Sequence, residues 1–568
     1  MEKQHLSNRA LLVPERVGNH FNVILQTPEI FFHEDVQSAA GGLGVVNGTL
    51  IDEVEWNNDR HGIRMLATSV YSSHGYQKQV IRYNADGSPY MDVEYVKDSH
   101  LNLTVDTGIR LTLTLAGRPC RVAVRTPAQD EGEKRFYTGI ALFDTDIPEN
   151  DEHPDFQMIT RVLYGEGHAT EKLAGERWMN IDWIRILRAT VLGIGTHLLI
   201  KELGITFDVM HINESHSVFY QVHKLGLALE RGLSFEEACK EARADTLYTN
   251  HTILFSGNNR FHTSEIHAVA GAYPGFDTTT LQRISRTADG SFPMTDSAFF
   301  LSEAANAVSV DHAEVAKKLW PGYNIVPVTN GVGNEYQHPE FANLDRADQI
   351  PALKEHFKHE VYKNLLARLA DAGWTHDFEA PNPEAVLAVW ARRNQGYKRP
   401  DLVFARHGFE FIRHLLDTNK LAIAWGGYVH PDDTHMMNRW NATWQQFQEV
   451  PNTIPVFNYR LDLMRSLLKA GAQIWLNTPQ FRHEACGTSW MSAMLECALV
   501  LSVPDGGIRE ATHYVSFGDD TFVPFENESS RAIVREQFDN DALELKQLII
   551  EHTYKWLHGD PNLLQMLF

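Results

Sequence analysis

The chain has 568 residues, 43% of them hydrophobic and 22% charged, and its formal net charge is −22 at pH 7. This composition is that of a soluble globular protein of two to four domains, and its acidity argues against nonspecific binding to nucleic acid or to an anionic membrane. We see no apolar run long enough to cross a membrane and no secretory signal at the N-terminus. The four cysteines form no Cys-x-x-Cys pair, which favours a reducing cytoplasm.

Strand and helix patterns alternate in the first half of the sequence. Residues 21–25 and 64–70 have the pattern of buried strands, and a glycine-rich turn at 41–45 opens a helix between them. From 101 to 142 apolar and polar residues alternate, which predicts antiparallel hairpins. A helical period at 183–203 is followed by a strand that ends near residue 211.

The second half repeats this alternation. Its predicted elements are strands at 385–390, 421–425, 454–457 and 473–476, and helices at 400–417, 436–449 and 491–501. Strands that alternate with helices predict an α/β protein with parallel, doubly wound sheets. We therefore expect two Rossmann-like domains facing a cleft, at 1–331 (with β insertions) and 332–540. A C-terminal helix at 541–568 would pack back on the first domain.

A glycine-containing turn at 484–492 lies between a predicted strand and a predicted helix. Gly487, Thr488 and Ser489 would place free backbone N–H groups at a helix start, where the helix dipole adds positive potential. Such a turn is suited to bind phosphate, and the carboxylate of Glu484 comes just before it. The residues alone equally allow an ordinary helix start capped by Thr488 or Ser489.

Four cations occur in the segment 392–399, directly after a predicted strand. Ligands of α/β sheets bind beyond the carboxyl ends of the strands, and arginine and lysine are common partners of phosphate. The segment is therefore a candidate phosphate site. The alternative is a solvated run of charges before a helix.

Three further segments after predicted strands carry polar or glycine residues. The candidates for substrate contacts in them are His251 at 249–252, Asn213, Glu214 and His216 at 211–216, and Gly42, Leu43 and Gly44 at 38–44. A core or capping histidine is the alternative for the first of these segments, and a plain turn is the alternative for the glycine loop. Zinc ligation at 211–216 is disfavoured, because three ligands within six residues at a turn give poor geometry.

These motifs, in this order, resemble those of the α-glucan phosphorylases (glycogen and maltodextrin phosphorylases), especially their short bacterial and archaeal type. The segment 144–150 is similar to the family's Asp-Thr-Asp-Val-Pro-Glu-Asn, 393–399 to its Arg-x-x-x-Tyr-Lys-Arg, and 484–492 to its Glu-Ala-Ser-Gly-Thr-Ser-Gly-Met-Lys. The resemblance runs from about residue 20 to 510 and implies the GT-B glycosyltransferase architecture. It implies that Arg393 and Lys398 bind phosphate, that His251 contacts the donor sugar and that Glu484 holds a sugar hydroxyl.

The departures from the family cluster at its cofactor. Ser492 stands where the family carries the lysine that holds pyridoxal phosphate as a Schiff base, and serine forms no imine. Glu496 and Cys497 replace the family's Asn-Gly, and Tyr428 stands where a lysine is common. We therefore expect no covalent pyridoxal phosphate and no other cofactor.

An empty cofactor position would leave two adjacent phosphate sites, which a nucleoside diphosphate could fill. The hypothesis from the sequence is a retaining glycosyltransferase that moves a hexosyl unit, most simply glucosyl, from a nucleotide sugar. The alternatives are an α-glucan phosphorylase that releases glucose 1-phosphate and a noncatalytic glucan-binding relative. The expected partners are a nucleotide sugar or sugar phosphate and a glucan or small-molecule acceptor, without nucleic acid, membrane or metal; a homo-oligomer stays open.

Overall fold

The computed structural model describes residues 8–12, 21–33, 36, 38–56, 62–97, 103–128, 139–174, 180–254, 257–333, 336–376, 378–459, 467–523 and 528–568. The N-terminal residues 1–7 and, within the predicted hairpin region 101–142, residues 101, 102 and 129–138 lie outside these ranges. The chain divides into two compact units. The first consists of Met1–Gln77, Tyr95–Val308 and Ala313–Thr329, and the second of Lys78–Glu94, Ser309–His312 and Asn330–Phe568.

The first unit is built on a nine-stranded sheet. Its strands pair in the order Ile325–Pro327, Ala304–Ala307, Thr246–Asn250, Val209–Asn213, Phe21–Gln26, Ile63–Val70, Ile140–Asp144, Arg118–Pro127 and Thr104–Leu115. The first seven strands are parallel, and the last two extend the sheet as the predicted antiparallel hairpin. A separate two-stranded antiparallel sheet pairs Arg260–His262 with Ser291–Pro293.

The helices of the first unit cover this sheet. They are Gly42–Trp56, Pro154–Met158, Glu166–Ala174, Ile181–Leu203, Phe219–Glu230, Phe235–Arg243, Thr263–Ala270, Thr278–Ser285 and Met294–Phe300, and the helix Val310–Leu319 belongs to this unit from Ala313 on. By length and composition Ile181–Leu203 is apolar enough to cross a membrane, which the sequence analysis did not expect. Because 72% of its most apolar stretch is buried, it is the core helix of this unit.

The second unit is built on a six-stranded parallel sheet. Its strands pair in the order Thr453–Val456, Leu421–Gly426, Val386–Ala391, Ile474–Asn477, Leu499–Ser502 and Val515–Ser516. Its helices are Pro339–Ala342, Ile350–Asp371, Phe409–Asp417, Thr434–Phe447, Leu468–Gly471, Ser489–Leu495, Glu528–Leu557 and Pro561–Leu567. The antiparallel hairpin of Lys78–Tyr83 and Pro89–Glu94 adds Ile81 and Met91 to the core of this unit.

The α/β class with parallel sheets is confirmed, and the strands near 21–25, 64–70, 385–390, 421–425, 454–457 and 473–476 form as predicted. Two helices differ. The predicted helix 400–417 is a 3₁₀ turn followed by Phe409–Asp417, because Gly408 adopts a left-handed φ of 73° just before it. The predicted helix 491–501 ends at Leu495, because Cys497 has a φ of 53° and Leu499–Ser502 is a strand.

Residues 541–568 belong to the second unit, where Ala542, Leu545 and Ile549 are buried in the core. The predicted packing of this segment on the first domain stays a prediction. The assignment of Lys78–Glu94 to the second unit was not predicted. The predicted boundary at residue 331 lies next to the last change of unit, between Thr329 and Asn330.

Each sheet has a switch point, where two adjacent parallel strands have following connections that leave in opposite directions across the sheet. In the first sheet this switch point lies between Phe21–Gln26 and Val209–Asn213, and in the second between Val386–Ala391 and Ile474–Asn477. Ligands of doubly wound sheets bind at the carboxyl ends of the strands beside such a point. The fold therefore marks one candidate site in each unit.

The buried ion pair of Arg399 and Asp541 connects the loop after Val386–Ala391 to the last long helix. Arg399 Nη1 lies 2.6 Å from Asp541 Oδ2, and Arg399 also donates to the carbonyl oxygens of Thr478 and Pro479, each at 3.0 Å. Both side chains of the pair are buried. The guanidinium therefore holds the loop that carries Lys398 against the helix.

We predict that Asp541→Asn lowers the free energy of unfolding by about 3 kcal/mol, because it leaves a buried guanidinium without a counter-charge. Urea denaturation followed by circular dichroism measures the loss. Asp417→Asn is the matched control, since Asp417 pairs with Arg413 on an exposed helix face and exposed pairs contribute below about 1 kcal/mol. Equal losses in the two variants would contradict the assignment.

Candidate functional site

A buried carboxylate bound to two cations lies at the switch point of the second sheet. Arg392 is the first residue after the strand Val386–Ala391, and Lys398 ends a short 3₁₀ turn beyond it. Glu484 lies in the loop after the neighbouring strand Ile474–Asn477. Because parallel strands end on the same edge of a sheet, these three side chains meet there.

The contacts within this group, which we call the Glu484 cluster, are short. Arg392 Nη2 lies 2.8 Å from Glu484 Oε2, and Lys398 Nζ lies 2.7 Å from Oε2 and 3.1 Å from Oε1. The hydroxyl of Tyr397 donates to Oε1 at 3.4 Å, and Arg392 also donates to the side chain of Asn477. The carboxylate thus joins the loops that follow two adjacent strands.

The charges of the cluster keep Glu484 ionised. Burial would raise the pKa of Glu484, but the positive charges of Lys398 and Arg392 outweigh it and hold that pKa below its usual value. Burial, together with the charge of Arg392, lowers the pKa of Lys398 to about 7 against the opposing effect of Glu484. The lysine therefore changes charge close to neutral pH.

Asp505, which the sequence analysis missed, fixes the backbone beneath Glu484. Its Oδ2 accepts the backbone N–H of Glu484 at 2.7 Å and that of His483 at 3.0 Å. Burial raises the pKa of Asp505 to about 7. Its position just after the strand Leu499–Ser502 is the feature of the sequence that would have indicated a site residue.

Arg393 lies beside the cluster, but the guanidinium that binds Glu484 belongs to Arg392. Arg393 is half-buried, and its positive charge is close enough to lower the pKa of Lys398. The sequence analysis singled out Arg393 and gave Arg392 no role. The phosphate role of Arg393 stays a prediction.

The turn at Gly487 is tight and the helix after it is short. Gly487 has a φ of 73°, and a Cβ there would lie 3.4 Å from the side chains of Glu484 and Trp490. Thr488 begins the seven-residue helix Ser489–Leu495 without a side-chain cap, and the buried Ser489 hydroxyl has no hydrogen-bond partner. The alternative of ordinary side-chain capping at Thr488 or Ser489 therefore finds no support.

Ser492 stands at the position that the resemblance assigns to the cofactor lysine, and the absence of covalent pyridoxal phosphate stays a prediction. Ser492 has no amine, is buried, and donates its hydroxyl to the carbonyl oxygen of Thr488 at 3.4 Å. The indole of Trp490 is buried in the core and donates to the carbonyl oxygen of Cys486 at 3.2 Å.

A second carboxylate holds the backbone of His251 in the first unit. Glu214 follows the strand Val209–Asn213 at a φ of 68°, which is uncommon for a residue with a side chain. Its Oε1 accepts the backbone N–H of His251 at 2.9 Å, and its Oε2 accepts that of Ser215 at 3.3 Å. Burial raises the pKa of Glu214 to about 7, although these two N–H groups oppose the effect.

Glu29 extends this group, the Glu214 cluster, to the glycine loop. Its Oε2 accepts the backbone N–H of Ala40 at 2.9 Å, and its Oε1 accepts the Tyr164 hydroxyl at 2.6 Å. Asn47 donates to the Glu29 carbonyl oxygen at 2.9 Å and accepts from Asn213 Nδ2 at 2.9 Å. The sequence analysis missed Glu29, Asn47 and Tyr164; for Glu29, its place just after the first strand is the available signal.

The histidines of the segment 211–216 have separate neighbours. His211 Nε2 lies 2.7 Å from the Thr249 hydroxyl, and His216 Nε2 lies 3.3 Å from Asn259 Nδ2. Within the ranges that the structure describes, no three His, Cys, Asp or Glu side chains are placed to hold a metal ion.

Gly44 permits a close approach in the glycine loop. The helix begins at Gly42, and a Cβ on Gly44 would lie 2.1 Å from the Cβ of Ala39 and 3.4 Å from Glu29 Oε2. Gly41 has open space instead. Contacts of Gly42, Leu43 and Gly44 with a substrate stay a prediction, as do those of Asn213, His216, Gly487, Thr488 and Ser489.

Comparison with models of known protein families finds no match for this chain. Among curated proteins, it is 29% identical over 522 residues to the maltodextrin phosphorylase of Thermococcus litoralis, covering 82% of this chain and 58% of that protein. It is 26% identical over 546 residues to the glycogen phosphorylase of Aquifex aeolicus, covering 85% and 74%. An uncharacterised protein of Methanocaldococcus jannaschii is 28% identical over 489 residues, covering 84% and 83%.

The similarity extends over most of this chain, so the predicted resemblance to α-glucan phosphorylases is confirmed. The protein is phosphorylase-like, with parallel α/β sheets as that architecture requires. It spans only 58% of the length of the maltodextrin phosphorylase that it matches.

We predict that Gly44→Ala destabilises the first unit by about 1–3 kcal/mol, because the new methyl group would overlap Ala39. Helix propensity alone would favour alanine by about 1 kcal/mol, so the sign of the change separates the two effects. Thermal melting followed by circular dichroism measures it. Gly41→Ala in the same loop is the control, expected to stay within about 0.5 kcal/mol of the parent chain; a stabilised Gly44→Ala variant would refute the close approach.

Proposed function

We propose that the protein is a retaining glucosyltransferase that moves a glucosyl unit between an α-glucan and phosphate, with glucose 1-phosphate as the sugar phosphate. The observation that carries this proposal is the Glu484 cluster, in which a buried carboxylate binds the buried Arg392 and the partly buried Lys398 at the switch point of the second sheet. The similarity to two named glucan phosphorylases supports this reaction over transfer from a nucleotide sugar. We place the protein in the cytoplasm.

In this reaction a phosphate oxygen attacks the anomeric carbon from the face that the glycosidic oxygen leaves, and the phosphate proton passes to the leaving oxygen. Lys398 and Arg393 would stabilise the negative charge of the phosphate as the bond breaks. Glu484 would accept a hydrogen bond from a sugar hydroxyl. His251, whose backbone is held by Glu214, would position the sugar at the anomeric carbon.

We propose that the protein acts without covalent pyridoxal phosphate. In the related family that cofactor supplies a phosphate group beside the reacting phosphate. Ser492 gives it no attachment here, and the buried indole of Trp490 lies two residues away on the same short helix.

A second candidate is a glycosyltransferase that uses a nucleoside diphosphate sugar. The observation that favours it is again Ser492, since an anion position left by the cofactor phosphate would accept the second phosphate of a nucleotide. A noncatalytic glucan-binding protein is the third reading, and the retained cations and His251 argue against it.

The deciding assay offers labelled glucose 1-phosphate and, separately, UDP-, ADP- and GDP-glucose with α-glucan acceptors. We expect turnover with glucose 1-phosphate and loss of about 10²–10³-fold in Lys398→Ala, because a charged donor to the phosphate is removed. Lys420→Ala is the control, since this lysine lies beside Tyr554 away from the cluster. Turnover with a nucleotide sugar alone would establish the second candidate, and no turnover with any donor would favour the third.

The cofactor proposal is checked by intact mass. After incubation with pyridoxal phosphate and reduction with borohydride, we expect the wild-type protein to show no more adduct than a Ser492→Ala variant. An adduct of defined stoichiometry that survives tryptic mapping to one buried lysine would contradict it. Absorbance near the imine band, recorded before reduction, gives an independent reading.

A further inference from the structure

Arg392 and Lys398, the two cations at the switch point of the second sheet, are already bound to a carboxylate of the chain itself, that of Glu484. Glu484 Oε2 lies within 2.8 Å of Arg392 Nη2 and within 2.7 Å of Lys398 Nζ. The second carboxylate oxygen takes a further contact from Lys398 at 3.1 Å. Glu484 therefore makes the bidentate, charge-assisted contacts that a phosphate would make in the same place.

A phosphate entering this position would meet Glu484 as a like charge. Glu484 is 7% exposed and Arg392 5% exposed, so solvent screens the interaction weakly. An ammonium group has three donors, and Glu484 engages Lys398 through both of its oxygens. Phosphate can therefore bind Lys398 without competition only when the Glu484 side chain moves away from it.

The structure also limits how the carboxylate can withdraw. Asp505 holds the backbone N–H groups of His483 and Glu484, at 3.0 and 2.7 Å. The backbone is therefore anchored, and rotation about the side-chain bonds of Glu484 is the available movement. Tyr397, with its hydroxyl 3.4 Å from Oε1, makes the weaker contact that such a rotation would break.

We propose that Glu484 is an internal competitor for phosphate at Lys398, so that phosphate binds this lysine only when the Glu484 side chain rotates away from it. The inference rests on the proposed function in one respect, that the anion is the phosphate of the reaction. It assigns Glu484 a regulatory effect on phosphate affinity besides its contact with the sugar. The free protein is thus held in a form with low affinity for phosphate.

The test is isothermal titration of inorganic phosphate into the full chain and into Glu484→Gln, which keeps the shape and removes the charge. We expect the variant to bind phosphate about 10- to 100-fold more tightly, because a close like charge in a buried site costs several kcal/mol. Glu410→Gln is the matched control, since it makes the same charge change at an exposed position of the same unit and is expected to leave the affinity unchanged. A folded Glu484→Gln variant with unchanged or weaker affinity would overturn the inference.

A second variant keeps the test possible if Glu484→Gln does not fold. If Glu484→Gln shows no cooperative melting transition, Glu484→Asp retains the charge but shortens the side chain by one methylene, and we expect an intermediate gain of about two- to tenfold. No gain in a folded Glu484→Asp variant would likewise overturn the inference. Because this experiment measures phosphate binding without turnover, its failure is separate from that of the proposed function: a protein that turns over glucose 1-phosphate but shows no gain in either variant keeps the function and loses the competitor.

Discussion

The ion pairing of Glu484 with Arg392 and Lys398 is the interaction on which the site of the second unit depends. Arg392 also binds Asn477, and the backbone of Glu484 is bound by Asp505, so the ends of three parallel strands meet around one carboxylate. A buried charge that loses its partner is strongly destabilising. The cluster therefore stabilises the fold, and a ligand that displaces Glu484 from Lys398 must itself supply the counter-charge.

In the first unit the buried carboxylate is that of Glu214, which binds two backbone N–H groups. A residue with a φ of 68° is held there by two backbone N–H groups, one of which belongs to His251. Strained backbone of this kind persists where the surroundings fix it, and it concentrates at functional sites. Burial raises the pKa of Glu214 to about 7, although its two backbone N–H contacts favour the charged form.

The sequence predicts the sheets well because buried parallel strands are continuous apolar runs, such as Leu421–Gly426 and Val386–Ala391. It predicts helix ends poorly, because Gly408 and Cys497 adopt left-handed conformations that the apolar pattern does not signal. For the same reason the sequence does not show whether Arg392 or Arg393 contacts Glu484. Both follow one strand, and only the path of the loop decides which guanidinium meets Glu484. The role of Glu29 could not be predicted from the sequence, because it depends on the fold of the glycine loop around Ala40 and on Tyr164, which is 135 residues away.

Several charged side chains lie near the end of the helix that contains Ser492. Glu496 follows the helix, is fully buried, and accepts the backbone N–H of His338 at 2.7 Å. Lys354 and Lys469 are buried close enough to Glu496 for their charges to act on its pKa. Burial lowers the pKa of both lysines, against the opposing charge of Glu496. Lys354 Nζ is nonetheless bound to the Lys469 carbonyl oxygen at 3.0 Å, and Lys469 Nζ lies over the Trp475 ring at 5.4 Å. Both amines thus have partners within the second unit, and the absence of covalent pyridoxal phosphate stays a prediction.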